Sequence, residues 1–185
     1  MNGGGQRGQV GNEKEMNAQE GEVIIEGGYA TLRYERRLAH PREAVWQAIT
    51  DPKELAEWMY TKAVIDGSNG GSIDFVTRPG ALHTTGRILV WDPPRVFEHE
   101  MHTAAHPQLP DGEVDAVIRW ELARDGDSST ILTLTLSRLT KLTAIGFAPG
   151  MHAFLDRLAA QLDHRTLPDW VKTRDAVKEF YTSLA

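Results

Sequence analysis

The chain has 185 residues, no cysteine and a formal net charge of -6. That length suits one domain with its own core, and the lack of cysteine excludes disulfides, thiolate metal sites and cysteine nucleophiles and fits a reducing cytoplasm. The acidic balance argues against nucleic acid as a partner, and no apolar run approaches the roughly 18 residues of a membrane helix.

The first twenty residues, "MNGGGQRGQVGNEKEMNAQE", hold five glycines and few apolar side chains. They lack the apolar core of a signal peptide. Residues 1–21 therefore read as a disordered tail, with the fold beginning near Glu22. "YATLRYERRLA" follows with a period of two. Ala30, Leu32, Tyr34, Arg36 and Leu38 point one way, and Thr31, Arg33, Glu35 and Arg37 the other. That is a half-buried strand. Arg36 is the exception on its inward side. The reading preferred is a side chain near the strand end that reaches water, and the other is pairing with an anionic ligand head group.

"HPREAVWQAIT" changes to a helical period, with Pro41 suited to the first helical position and Val45, Trp46 and Ile49 on one face. "DPKELAEWM" starts a second short helix. Asp51 can cap it, Pro52 fits its first turn, and Glu54 completes an Asp-x-x-Glu capping box. Past residue 60 the period returns to two, giving strands at about 62–66, 72–78, 84–92, 95–102, 114–124 and 129–139. "GSNGG", "RPGAL", "DPP" and "RDGDSS" supply turn chemistry between them. The inward sets of the last two strands are Val114, Ala116, Ile118, Trp120 and Leu122, then Leu132, Leu134 and Leu136. A long helix follows over "APGMHAFLDRLAAQLDHR", where Met151, Phe154, Leu155, Leu158, Ala159 and Leu162 share a face. Residues 168–185 read as an extra C-terminal helix, available to a homodimer, with Val177, Phe180, Tyr181 and Leu184 apolar.

The order is strand, two short helices, six strands, long helix, which makes an α+β domain over residues 22–167. A twisted antiparallel sheet of about seven strands curls, and one helix across it leaves room for a cavity. Phrases along the chain resemble the START-like superfamily with its helix-grip fold. They are "HPREAVWQAITDPKELAEWM", "GGSIDF" at 70–75, "GRILVWDPPRVFEHE" at 86–100, "IRWELARDGDSSTILTLTLS" at 118–137 and "APGMHAFLDRLAAQL". Within that superfamily the chain resembles the heat-shock-protein-90 ATPase activator homologue family in its bacterial stand-alone form. The resemblance implies a Bet v-like sheet gripping the long helix. It implies a binder, carrier, cyclase or co-chaperone, and supplies no transferable catalytic set.

The residues expected to line the cavity are Trp58, Phe75, Ile88, Phe97, His99, Trp120, Leu134, Met151, Phe154 and Leu155. The expected guest is a small apolar or aromatic molecule, bound without a cofactor and without defined catalysis. Trp58 stands where the cavity mouth of this fold lies, and its indole would offer area plus one N–H donor. His99 alternates with Phe97 and Met101 and so faces inward. His99, His102 and His106 could bind a metal only if they converged, and a strand running into a proline-bearing loop does not require that. No metal is expected. Glu98 and Glu100 belong on the outer strand face, and no carboxylate pair aims at one bond. The alternative functions are a chaperone-ATPase regulator and a cyclase- or aromatase-like enzyme.

Overall fold

A computed structural model describes residues 20–183, without 108 and 110 and without the side chain of Val114. The tail through residue 19 and Leu184 lie outside the described residues. Eight strands and four helices follow in order. They are β1 (Glu22–Glu26), β2 (Tyr29–Leu38), α1 (Arg42–Thr50), α2 (Pro52–Trp58), β3 (Tyr60–Ile65), β4 (Ser72–Thr77), β5 (His83–Asp92), β6 (Val96–Thr103), β7 (Glu113–Asp125), β8 (Ser129–Leu139), α3 (Lys141–Leu162) and α4 (Trp170–Thr182). The strands form one antiparallel sheet in the order β1-β2-β8-β7-β6-β5-β4-β3. Right-handed twist accumulates over so many strands and curls the sheet around α3, the helix-grip arrangement.

The strand count exceeds the expectation by one. β1, "EVIIE", is an edge strand with four of its five residues exposed, so it shows no alternation of burial. It folds back on β2 through Gly27 and Gly28, with Gly27 at φ 59°.

Register across the sheet lines up the inward side chains in rows. Tyr34 pairs with Leu134, Leu134 with Trp120, Trp120 with Phe97, and Phe97 with Trp91. The neighbouring row runs Leu32, Leu136, Ile118, His99, Ile88. On the other side Arg36 pairs with Leu132, which pairs with Leu122. A bulge between Ile88 and Val90 shifts the phase of β5 and brings Trp91 onto the inward row.

The helices cover this face. α1 buries Val45, Ala48 and Ile49, and α2 buries Leu55 and Trp58. α1 opens at Arg42 with Pro41 at its cap position, one residue later than expected. Asp51 caps α2 by accepting from the Lys53 and Glu54 amides at 2.7 and 3.4 Å. The reciprocal half of the expected capping box does not form. Asp51 also ends α1, so its own N–H is already given to the Gln47 carbonyl, and Glu54 accepts from Gln161 instead.

α3 begins at Lys141, a full two turns before the stretch that signals it in the sequence. Thr140 caps it by accepting from the Thr143 amide at 3.1 Å, and the helix runs through Pro149. α4 lies along α3. Trp170 packs on Phe154 at 5.4 Å between ring centroids and donates to the Gly150 carbonyl at 3.1 Å. Tyr181 is fully buried, and Val177 and Phe180 pack against the core. Trp170, Val177, Phe180 and Tyr181 of α4 thus pack against the core of their own chain.

Candidate ligand-binding site

All ten residues expected to line a cavity turn inward. None is more than 7% exposed, and nine of them belong, with Tyr34, Met59 and Met101, to one continuous core cluster, with His99 buried among them. The interior is closed to solvent at these positions, where the sequence reading expected vacant space. The reason is side-chain volume. The inward rows carry Phe75, Phe97, Trp120 and several leucines, and Trp58 enters from α2.

Trp58 differs from expectation in its chemistry. Its indole N–H donates to the Ala48 carbonyl at 3.0 Å, so the donor is spent on α1. The end of α2 is held by Arg157 on α3, which donates to the carbonyls of Trp58, Glu57 and Pro168 at 2.8, 3.2 and 2.8 Å. One guanidinium thus ties α2, α3 and the segment before α4 together.

His99 sits between Phe75 and Phe97, with ring centroids at 5.7 and 4.9 Å. Its Nδ1 is 2.7 Å from the Glu100 carbonyl, which fixes the proton on Nδ1 and leaves the lone pair on Nε2. Burial pushes its pKa down to about 4, so the imidazole is neutral at physiological pH. His102, by contrast, is exposed on the outer face. Among the described residues no three histidine or carboxylate side chains gather as a metal site. Glu98 and Glu121 flank Arg119 at 2.7 and 3.0 Å, and Glu100 pairs with Arg87, all on the outer side of the sheet.

Arg36 overturns the preferred reading of it. It does not reach water: it is 7% exposed. Its Nη1 donates to the Glu35 carbonyl at 3.0 Å, while Nε and Nη2 are buried with no hydrogen-bond partner among the described residues. The Tyr34 ring lies 5.9 Å from its guanidinium carbon. Burial, the largest influence, lowers its pKa from the ordinary value, and the Asp156 carboxylate acts the other way.

Among the hollows on the surface of the described residues, two lie beside α1 and α2, neither of them between sheet and α3. The larger, about 360 Å³, is walled by Trp46, Gln47, Thr50, Asp51 and Pro52 from α1 and α2 and by Ile65, Gly67 and Trp91 from the sheet side. The smaller, about 210 Å³, lies where α1 and α2 meet the end of α3, among His40, Ala44, Gln47, Ala48, Glu54, Gln161, Leu162 and His164. From the larger one a file of touching rings leads inward. Trp46 meets Trp91 at 5.1 Å, Trp91 meets Phe97 at 5.2 Å, and Phe97 meets His99 at 4.9 Å. His99 meets Phe75 at 5.7 Å, and Phe75 stacks on Tyr60 at 4.5 Å. Strict alternation along β5 hides the bulge that redirects Trp91, so its place in this file is not legible in the sequence.

The profile of one protein family, described as activator of Hsp90 ATPase homolog 1-like protein, matches residues 39–163. The chain belongs to that family. This activator-homologue domain spans both short helices, β3 to β8 and the whole of α3 with its C-terminal cap, Asp163. Solved structures agree on the fold. The crystal structure of CalU16 from Micromonospora echinospora has a TM-score of 0.67 at 22% identity, covering 89% of this chain and 94% of that one. EF2215 from Enterococcus faecalis, a conserved protein of unknown function, has a TM-score of 0.69 at 16% identity, covering 91% and 94%. The protein encoded by BPP1335 of Bordetella parapertussis has 0.66 at 24% identity, covering 95% and 91%. Comparison with curated proteins finds no match. Membership places the activator-homologue chain among ligand-binding and regulatory proteins in general. No helix of the described residues is long and apolar enough to cross a membrane.

Proposed function

We propose that the protein binds a small apolar or aromatic molecule between the concave sheet face and α3, without catalysing a reaction on it. The lining residues in this reading are Trp58, Phe75, Ile88, Phe97, His99, Trp120, Leu134, Met151, Phe154 and Leu155. The observation that supports it is the unbroken file of rings from the open hollow at Trp46 and Trp91 to Phe97, His99 and Phe75. Such a file lets an apolar guest exchange one aromatic contact for the next on its way in. Room comes from rearrangement. Met59, Met101 and Met151 are buried in the same interior, and methionine is the side chain that repacks most readily. A naphthyl-sized guest that loses about 200 Å² of apolar surface to the interior gains about 5 kcal/mol before ordering costs. Taken alone that gain corresponds to a Kd of about 0.2 mM, and the ordering costs weaken it, so titrations should extend into the millimolar range.

Native mass spectrometry of the purified protein tests this reading. A small organic adduct that departs on denaturation, or uptake of added 2-naphthylethanol at one equivalent, supports it. A bare chain that also takes up no 2-naphthylethanol contradicts it.

A second reading, regulation of a chaperone ATPase, is favoured by the family's own description. Its test is the ATPase rate of a heat-shock-protein-90 chaperone with and without the protein. An unchanged rate and no complex would remove it.

A further inference from the structure

We infer that Arg36 is the counter-ion for a carboxylate carried by the guest of the sheet–helix interior, an inference that rests on the ligand-binding reading above. Arg36 stands on the inward face of β2 in the row of Leu132 and Leu122, beside the Tyr34, Leu134, Trp120 row. A leucine there would complete an apolar row. Instead the row ends in a guanidinium that is 7% exposed.

The two nitrogens without partners are Nε and Nη2, and the third, Nη1, is engaged by the Glu35 carbonyl. Nε and Nη2 share one edge of the guanidinium. That edge presents two parallel N–H donors at the spacing of the two oxygens of a carboxylate, the side-on fork that binds such a group bidentately. The free edge is thus the edge that fits a carboxylate.

Neighbouring polar groups do not take its place. Tyr34 offers its ring at 5.9 Å, and its hydroxyl donates to the Ala148 carbonyl at 2.8 Å. On α3, His152 places Nδ1 3.0 Å from the Tyr181 hydroxyl of α4 and Nε2 3.6 Å from Asp156. The Tyr181 hydroxyl also accepts from the Gly21 amide at 2.8 Å. Asp156 is the nearby carboxylate of the fold, yet among the described residues no carboxylate oxygen lies within 4.0 Å of the Arg36 guanidinium. Arginine does not escape burial by losing its proton. A buried, charged and half-bonded guanidinium costs stability unless an anion meets it, and burying such donors unpaired is among the more expensive things a core can do. The guest's apolar body would then lie over Tyr34, Leu134 and Trp120, with its carboxylate turned toward α3 and α4.

A matched pair of probes decides the matter: 2-naphthylacetate and neutral 2-naphthylethanol, titrated calorimetrically into the full chain and into Arg36→Leu. The wild type should bind the acid more tightly by about tenfold or more, the scale of charge-assisted hydrogen bonds. Arg36→Leu should lose that preference and bind the alcohol at least as well as the wild type does. Equal or weaker binding of the acid by the wild type overturns this assignment while leaving the ligand-binding reading standing, as does a preference that survives Arg36→Leu. Binding of neither probe by the wild type overturns both. The ligand-free variant adds a second readout. It should melt at or above the wild-type temperature, since an unpaired buried charge has been replaced by a hydrocarbon. A lower melting temperature would mean that the guanidinium serves the fold alone, and would overturn the assignment.

Discussion

The Tyr34 hydroxyl on β2 donates to the Ala148 carbonyl on α3 at 2.8 Å, and both residues are buried. This bond joins the sheet to the helix that it grips, across 114 residues of chain. Burial raises the Tyr34 pKa well above its ordinary value, so the hydroxyl keeps its proton and remains a donor. Tyr34→Phe keeps the ring and removes the donor. The expected cost is about 1 kcal/mol of folding stability, measured by urea denaturation. No loss would mean that this bond adds nothing net to the grip of the sheet on α3.

His99 predicts a pH dependence. Its pKa is pushed down to about 4 in the fold, against 6.5 for the exposed side chain. Between those values the unfolded chain binds a proton that the folded chain refuses. Stability is therefore complete above about pH 6.5, falls as pH drops through the window, and reaches its full deficit near pH 4. The size is about 3 kcal/mol for a fully buried imidazole. His99→Leu should flatten this part of the profile relative to wild type, read from denaturant midpoints at several pH values. Because His152 also has its pKa lowered by burial, the comparison is the difference between the two proteins rather than either profile alone. Parallel profiles would contradict the assignment of a buried neutral His99.

Gly86 predicts a backbone effect. A Cβ at this position on β5 would lie 2.1 Å from the Glu100 carbonyl oxygen of β6. Backbone cannot yield as a side-chain tip can, so the two strands would have to part. Gly86→Ala should cost about 3 kcal/mol, the upper range for overpacking, with faster amide exchange along β5 and β6. A variant as stable as wild type would show that this close approach is absent in solution.

Much of the architecture is legible residue by residue. Alternation in "TILTLTLSRL" and "VDAVIRWELA" marks β8 and β7 because one face of each is wet, and Asp51 before Pro52 marks the start of α2 because an amide needs an acceptor there. β1 is harder to see, since an exposed edge strand has no buried face to impose a period. The start of α3 is hidden because Leu142, first in its apolar series, is 79% exposed, and because Gly146 and Pro149 argue locally against a helix that packing sustains. Within the site, alternation alone puts Phe97, His99 and Arg36 on the inward face. It cannot say that Arg36 lacks water, because that depends on α3 and α4 closing over β2 from more than a hundred residues away. Nor can it find the bulge at Ile88 and Val90 that turns Trp91 toward Phe97. How full the interior is depends on summed volumes across eight strands and four helices, a property of the assembled rows and not of any one segment.

Methionine methyl groups offer the most direct view of the interior. Met59, Met101 and Met151 are 4%, 4% and 7% exposed and stand within the same core as Phe97 and Phe75. In a ¹³C-methyl-methionine spectrum, adding 2-naphthylethanol should shift the signals of Met101 and Met151 saturably as the guest lodges among the aromatic rows. Signals from all three that stay in place up to the solubility limit of the probe would contradict a guest between sheet and helix.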